Sequence, residues 1–208
     1  MSFLIYVFVG LTTTAFILAL VLIALAVTTL SKFKRNQAMQ NNSALKISVI
    51  VPAYNEATVI LETIEGLLNI NYSTYEIIIV NDGSVDNTAG KLHEFLDTQI
   101  MEGCNQNLPI RSVYQSRRFQ QIYLIDKIHT GKSDSLNVGI AFSHYEWMCC
   151  VDADTILKPD ALSHMSVAVS KNPSVMSAAG HIRVNMNSSR NTWLDQIQAV
   201  EYIRSFVI

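Results

Sequence analysis

The chain has 208 residues, half of them apolar, and a formal net charge of −2. That length suffices for one domain with its own core plus an appendage. The near-neutral balance excludes a bulk electrostatic case for a nucleic-acid partner, and a mean hydropathy of +0.24 is high for a soluble protein. The cysteines are Cys104, Cys149 and Cys150, an odd count without zinc spacing; they read as reduced thiols of a cytosolic compartment. The histidines are scattered, with no HExxH pattern.

In chain order, Phe3 to Leu30 carries no charge and exceeds the roughly 20 apolar residues that span a bilayer. A secretory signal is the competing reading, but Met1-Ser2 supplies no basic n-region and the apolar run is too long. Residues 1–31 are therefore expected to form a retained transmembrane helix. Lys32, Lys34 and Arg35 follow at once, so the positive-inside rule puts what comes next in the cytosol. Residues 32–45 read as a basic, polar linker.

Lys46 to Pro52 (KISVIVP) is an apolar β-branched run, a buried strand. Ala57 to Leu68 has helical spacing of apolar residues, and Glu76 to Val80 (EIIIV) is a second buried strand. Thr88 to Ile100 is expected as a helix with Leu92, Phe95, Leu96 and Ile100 on one face. Gly103 to Pro109 reads as loop, and Ser112 to Gln115 and Gln121 to Ile125 as weaker strands. Lys132 to Phe142 is a helix, and Trp147 to Val151 a strand buried on both faces. Pro159 to Ser170 is a helix opened by proline, and Val175 to Ala179 a short strand. Thr192 to Ile208 carries an apolar stripe that suits either ordinary packing or a membrane interface. Strand-then-helix order predicts an α/β fold with a mostly parallel sheet and flanking helices.

The chemistry is expected at strand ends. Trp147 to Val151 stops abruptly at Asp152-Ala153-Asp154. Alternate residues of an extended segment point the same way, so both carboxylates can face one spot beyond the strand, where open α/β sheets bind ligands. Paired acids repel unless a cation lies between them, and oxygen ligands suit Mg²⁺ or Mn²⁺ held together with substrate phosphates. A solvated acidic turn is the plainer alternative. Pro52-Ala53-Tyr54-Asn55-Glu56 ends the first strand; its ring and carboxylate suit a base and ribose, or else a loop anchor and a helix-start acid. Asp82 ends the second strand, where acids of nucleotide-binding folds meet a ribose or base; an Asx turn fits equally. Gly131-Lys132-Ser133 resembles a phosphate loop, but position 126 is Asp126 rather than the glycine that motif requires. Lys132 beside a helix start still suits a diphosphate, or is a solvated cation. No Gly-x-Gly-x-x-Gly or Gly-x-Ser-x-Gly motif is present.

VIVPAYNEA, IIIVNDGSVDNT, GKSDSLNVGI and CVDADT, in this order and spacing, resemble the family 2 glycosyltransferases with a GT-A fold. The preceding hydrophobic helix and the segment AAGHIRVNM...LDQIQAVEY make the chain similar to the membrane-embedded synthases of hyaluronan, chitin, cellulose and poly-N-acetylglucosamine. The resemblance covers roughly Lys46 to Tyr202 and implies a GT-A donor-binding domain at residues 46–190. It implies that Pro52, Ala53, Tyr54 and Glu56 line the nucleoside pocket, that Asp82 contacts the uracil or ribose, and that Lys132 approaches the diphosphate. Asp152 and Asp154 are then the metal-binding DxD, with Asp154 favoured over Asp152 as the direct ligand and Asp152 also contacting the donor. The implied reaction is metal-dependent, inverting transfer from a UDP-sugar to a growing polysaccharide or a lipid-linked acceptor, at the inner or plasma membrane.

The family's later Thr/Glu-Asp-type motif, which holds its general base, and the Gln-x-x-Arg-Trp motif of processive members do not occur before Ile208. The chain is thus expected to be the N-terminal part of a synthase, with the donor half of the site, its general base after Ile208, and residues 191–208 beginning a truncated amphipathic helix. The alternatives are transfer of one sugar to a lipid carrier, or an inactive membrane-anchored module that binds a nucleotide sugar or a partner.

Overall fold

The computed structural model describes residues 16–21, 23, 45–101, 109–171, 174–180 and 197. Between residues 47 and 170 the elements are, in order, β1 (Ile47–Ala53), α1 (Ile60–Leu68), β2 (Tyr75–Asn81), α2 (Thr88–Leu96), β3 (Thr98–Ile100), β4 (Ile110–Ser116), β5 (Ile122–Lys127), α3 (Lys132–Phe142), β6 (Trp147–Cys150) and α4 (Ala161–Ser170). One sheet runs in the order β3-β4-β5-β2-β1-β6. β5, β2, β1 and β6 pair in parallel, while β4 is antiparallel to both β5 and β3. This is the expected mixed α/β sheet with flanking helices.

β1 explains why the sheet holds together. All seven of its residues are buried, because a β-branched run with parallel partners on both edges and helices on both faces has no solvent side. Its odd residues Val49 and Val51 join α1, α2 and α4 on one face through Ile60, Ile64, Leu67, Leu92, Leu96 and Leu162. Its even residue Ile50 packs with Ile78, Val80, Ile125 and Val138 of α3 on the other. The two cores are the period-two alternation of a strand made solid. α3 comes very close: a Cβ on Gly139 would lie 2.4 Å from Ile50 Cγ2.

Several expected elements end elsewhere. α2 stops at Leu96, not Ile100, because Asp97 adopts a left-handed conformation (φ 47°) and Thr98–Ile100 pairs with β4 as an edge strand. Arg118 and Ser116 donate to the last helical carbonyls, of Phe95 and Leu96, which satisfies a helix end that has run out of turns. β6 is not buried on both faces: it is the outer strand among the described residues, and Met148 is 45% exposed. Residues 175–180 are not a strand.

The expected membrane span falls largely outside the described residues. Residues 16–21 and 23 are helical and exposed, and no described helix is long and apolar enough to cross a membrane. Cys104 and nearly all of the Thr192 to Ile208 stretch also lie outside them.

Candidate active site

Chain order runs from β1 outward to β2 on one side and to β6 on the other, so the carboxyl end of β1 is where the strand order reverses. Open α/β sheets bind ligands at that point. A cleft of about 280 Å³ opens there. Pro52, Ala53, Tyr54, Glu56, Asp82, Lys132, Asp152 and Asp154 all line it, joined by His129, Gly131, Ser135 and Ala153. The eight residues singled out from sequence therefore share one cavity.

The Asp152-Ala153-Asp154 turn extends β6. Val151 N–H still donates to Ile50 O (3.0 Å), and Asp152 O accepts from Thr155 N–H. Ala153 points inward, only 4% exposed, and its carbonyl accepts from Thr63 Oγ1 of α1 at 2.6 Å. With the middle residue pinned, both acids are turned outward and exposed. Lys132 Nζ lies 2.7 Å from Asp152 Oδ1, so the lysine at the start of α3 spans the cleft to the end of β6. Glu56 faces the same acids. Burial pushes its carboxyl above the ordinary range, and the charges of Asp154, Asp86 and Asp152 push it further.

Asp82 is placed quite differently. It is 2% exposed and both carboxylate oxygens are engaged by protein. Oδ1 accepts from Lys127 Nζ and from Thr130 N–H (3.0 Å); Oδ2 accepts from Gly131 N–H at 2.9 Å and lies 2.9 Å from His129 Nδ1. Burial alone would raise its pKa. The hydrogen bonds from Lys127, Thr130 and Gly131, with the Lys127 charge, outweigh that and hold it below the ordinary range. On the cleft wall, Asp82 is the anchor of the loop from β5 to α3 rather than the cap of an Asx turn. The turn after β2 is capped by Asn81 instead, whose Oδ1 accepts from Ser84 N–H.

Sequence reasoning missed Lys127, His129, Asn55 and Asp86. Lys127 is fully buried and also donates to Ile128 O and Thr130 Oγ1. Tyr54 stacks on His129 with centroids 4.1 Å apart and planes 25° from parallel. Gly83 makes room for that loop: its φ is +66°, and a Cβ there would lie 2.8 Å from His129 N. Asn55, itself left-handed (φ 58°), accepts from Val85 N–H, while Asp86 accepts from Ala57 N–H and from Thr88. These bonds stitch the loop after β1 to the loop after β2. The available signal was the crowding of Asn, Asp, Ser and Thr in NDGSVDNT, residue types that bond neighbouring backbone.

Residues 48–207 match Glycosyl transferase family 2. The chain belongs to that family. It is 33% identical over 156 residues to a poly-beta-1,6-N-acetyl-D-glucosamine synthase of Staphylococcus epidermidis, covering 75% of this chain and 32% of the relative. The synthase of Staphylococcus aureus (strain COL) is 31% identical over the same length and coverage. The chain thus spans about a third of these curated relatives. A solved mannosyltransferase of Pyrobaculum calidifontis, in complex with GDP-Man and Mn²⁺, shares the fold with a TM-score of 0.53 at 19% identity, over 70% of this chain and 41% of its own.

Proposed function

We propose that this family 2 domain is the donor-binding part of an inverting, metal-dependent glycosyltransferase that passes a sugar from a UDP-sugar to a growing polysaccharide. The observation carrying this reading is the sharing of one cleft by Tyr54, Glu56, Lys132, Asp152 and Asp154. In this reading the nucleoside lies toward Tyr54 and β2, and the diphosphate toward Lys132 and β6. Family membership and the synthase relatives support the sugar-polymer chemistry.

The donor set fits a hard divalent cation. Asp152 and Asp154 offer only oxygens, and beside the burial that raises the Glu56 carboxyl their charges, with that of Asp86, push it further up. Among the described residues no three His, Cys, Asp or Glu side chains are arranged to close around an ion. The Asp152 and Asp154 pair itself is of the kind Mg²⁺ or Mn²⁺ takes, these ions completing their shell with phosphate and water. When bound, the ion would offset charge gathering on the departing diphosphate. Lys132 would hold the same group from the α3 side, and Tyr54 would limit where the nucleoside rests. This reading assigns no general base within the chain.

Titration calorimetry with UDP and Mn²⁺ tests it. Metal-dependent binding is expected, and Asp154→Ala should weaken it at least about tenfold. Equal heats from parent and variant would refute the assignment. The reading also sets the domain on the cytosolic side of a cell membrane, supported by the uncharged stretch Phe3 to Leu30 and the basic residues behind it. Protease added outside intact cells should leave the domain after Arg35 uncut.

A further inference from the structure

His129 has a feature that its neighbours fix. Its Nδ1 lies 2.9 Å from Asp82 Oδ2 and 3.0 Å from Asp82 O. Both are acceptors: a carbonyl oxygen always, and a carboxylate oxygen when ionised. Nδ1 must therefore carry the proton, since which imidazole nitrogen is protonated follows from the bond it makes. In the neutral ring Nε2 is then a bare lone pair. It makes no hydrogen bond among the described residues, and the ring is half exposed on the cleft wall. Stacking on Tyr54 fixes the ring plane as well.

The position matters too. Across the sheet, β5 leads to His129, β2 to Asp82, β1 to Tyr54 and β6 to the paired acids. The diphosphate end of the cleft is marked by Lys132 and Asp152, 2.7 Å apart. His129 belongs to the other end, where the base would lie.

We propose that His129, locked as its Nδ1–H tautomer by Asp82 and steadied by Tyr54, reads the donor's nucleobase by accepting a hydrogen bond at Nε2. The inference rests on the donor-binding reading above. A ring N–H, as in uracil or guanine, satisfies that acceptor. Cytosine or adenine sets a ring-nitrogen lone pair against it. A site built to accept a hydrogen bond discriminates against a partner that cannot donate, because a polar group is left unpaired. Asp82 is on this account a positioning residue, acting through His129 rather than on the base.

The test uses the full chain with UDP and CDP, in the presence of Mn²⁺, by titration calorimetry. The parent should bind UDP at least about tenfold more tightly than CDP. His129→Phe keeps a stacking ring but loses the acceptor; UDP should weaken about tenfold and the two nucleotides converge. Nitrogen chemical shifts of the His129 ring should show a protonated Nδ1 and an unprotonated Nε2. An unchanged UDP preference in His129→Phe, or a proton on Nε2, overturns the inference and leaves donor binding intact. So does a parent that binds UDP and CDP equally. A parent that binds neither nucleotide removes both readings together.

Discussion

Asp82 and Lys127 show how one buried pair can organise the wall of a site from beneath it. The carboxylate is 2% exposed and the lysine not at all. Lys127→Met should cost about 3–5 kcal/mol in chemical denaturation, because it strands a buried charge; a loss below about 1 kcal/mol would show that the pair matters little. The pH sign follows from the depressed carboxyl. Its stabilisation is complete above the ordinary carboxylate range and is lost as pH falls through the lower folded value. Below about pH 4, the parent should lose stability that Asp82→Asn never had, and acid titration of both compares the two directly. The sequence showed that an acid ends β2, but not who binds it. Lys127 and His129 lie only four and two residues before Gly131, yet nothing local separates a buried lysine or a tautomer-locked histidine from solvated ones. Their roles exist only once β5 lies beside β2.

At the scale of elements, sequence pattern and structure agree best where the chain itself supplies the boundary. α3 spans Lys132–Phe142 as expected, opened by Gly131 with its φ of +104°. They disagree where a neighbour supplies it. Apolar spacing runs on through Leu96 to Ile100, yet Asp97 reverses the helix and β4 claims the remainder. β6 departs from the doubly buried strand its sequence predicts because apolar runs look alike at the centre and edge of a sheet. The seat of α3 on β1 is the most sensitive contact. Gly139→Ala should destabilise the domain by about 1–3 kcal/mol, since Ile50 is fully buried and cannot easily move from 2.4 Å. An unchanged unfolding midpoint would mean that α3 is free to lift.

For the molecule as a whole, rigidity should be graded across the sheet. Amides of Val49, Ile50, Ile78 and Ile79, in strands paired on both sides, should exchange with solvent only through global opening. Those of Thr98 to Ile100, in a three-residue outer strand, should exchange by local fraying. Uniform protection in hydrogen-exchange measurements would contradict that gradient.

The ammonium of Lys132 resting on Asp152 has a consequence for the order in which guests arrive. Either guest alone, the cation or the anion, takes one member of that exposed pair and leaves the other without its counter-charge. When both arrive, each restores what the other removes. Mn²⁺ should therefore tighten UDP, and UDP tighten Mn²⁺, by one and the same factor, with up to about fivefold traceable to this contact, as expected for an exposed pair. Replacing Lys132 with methionine should shrink that mutual gain rather than merely lower both affinities.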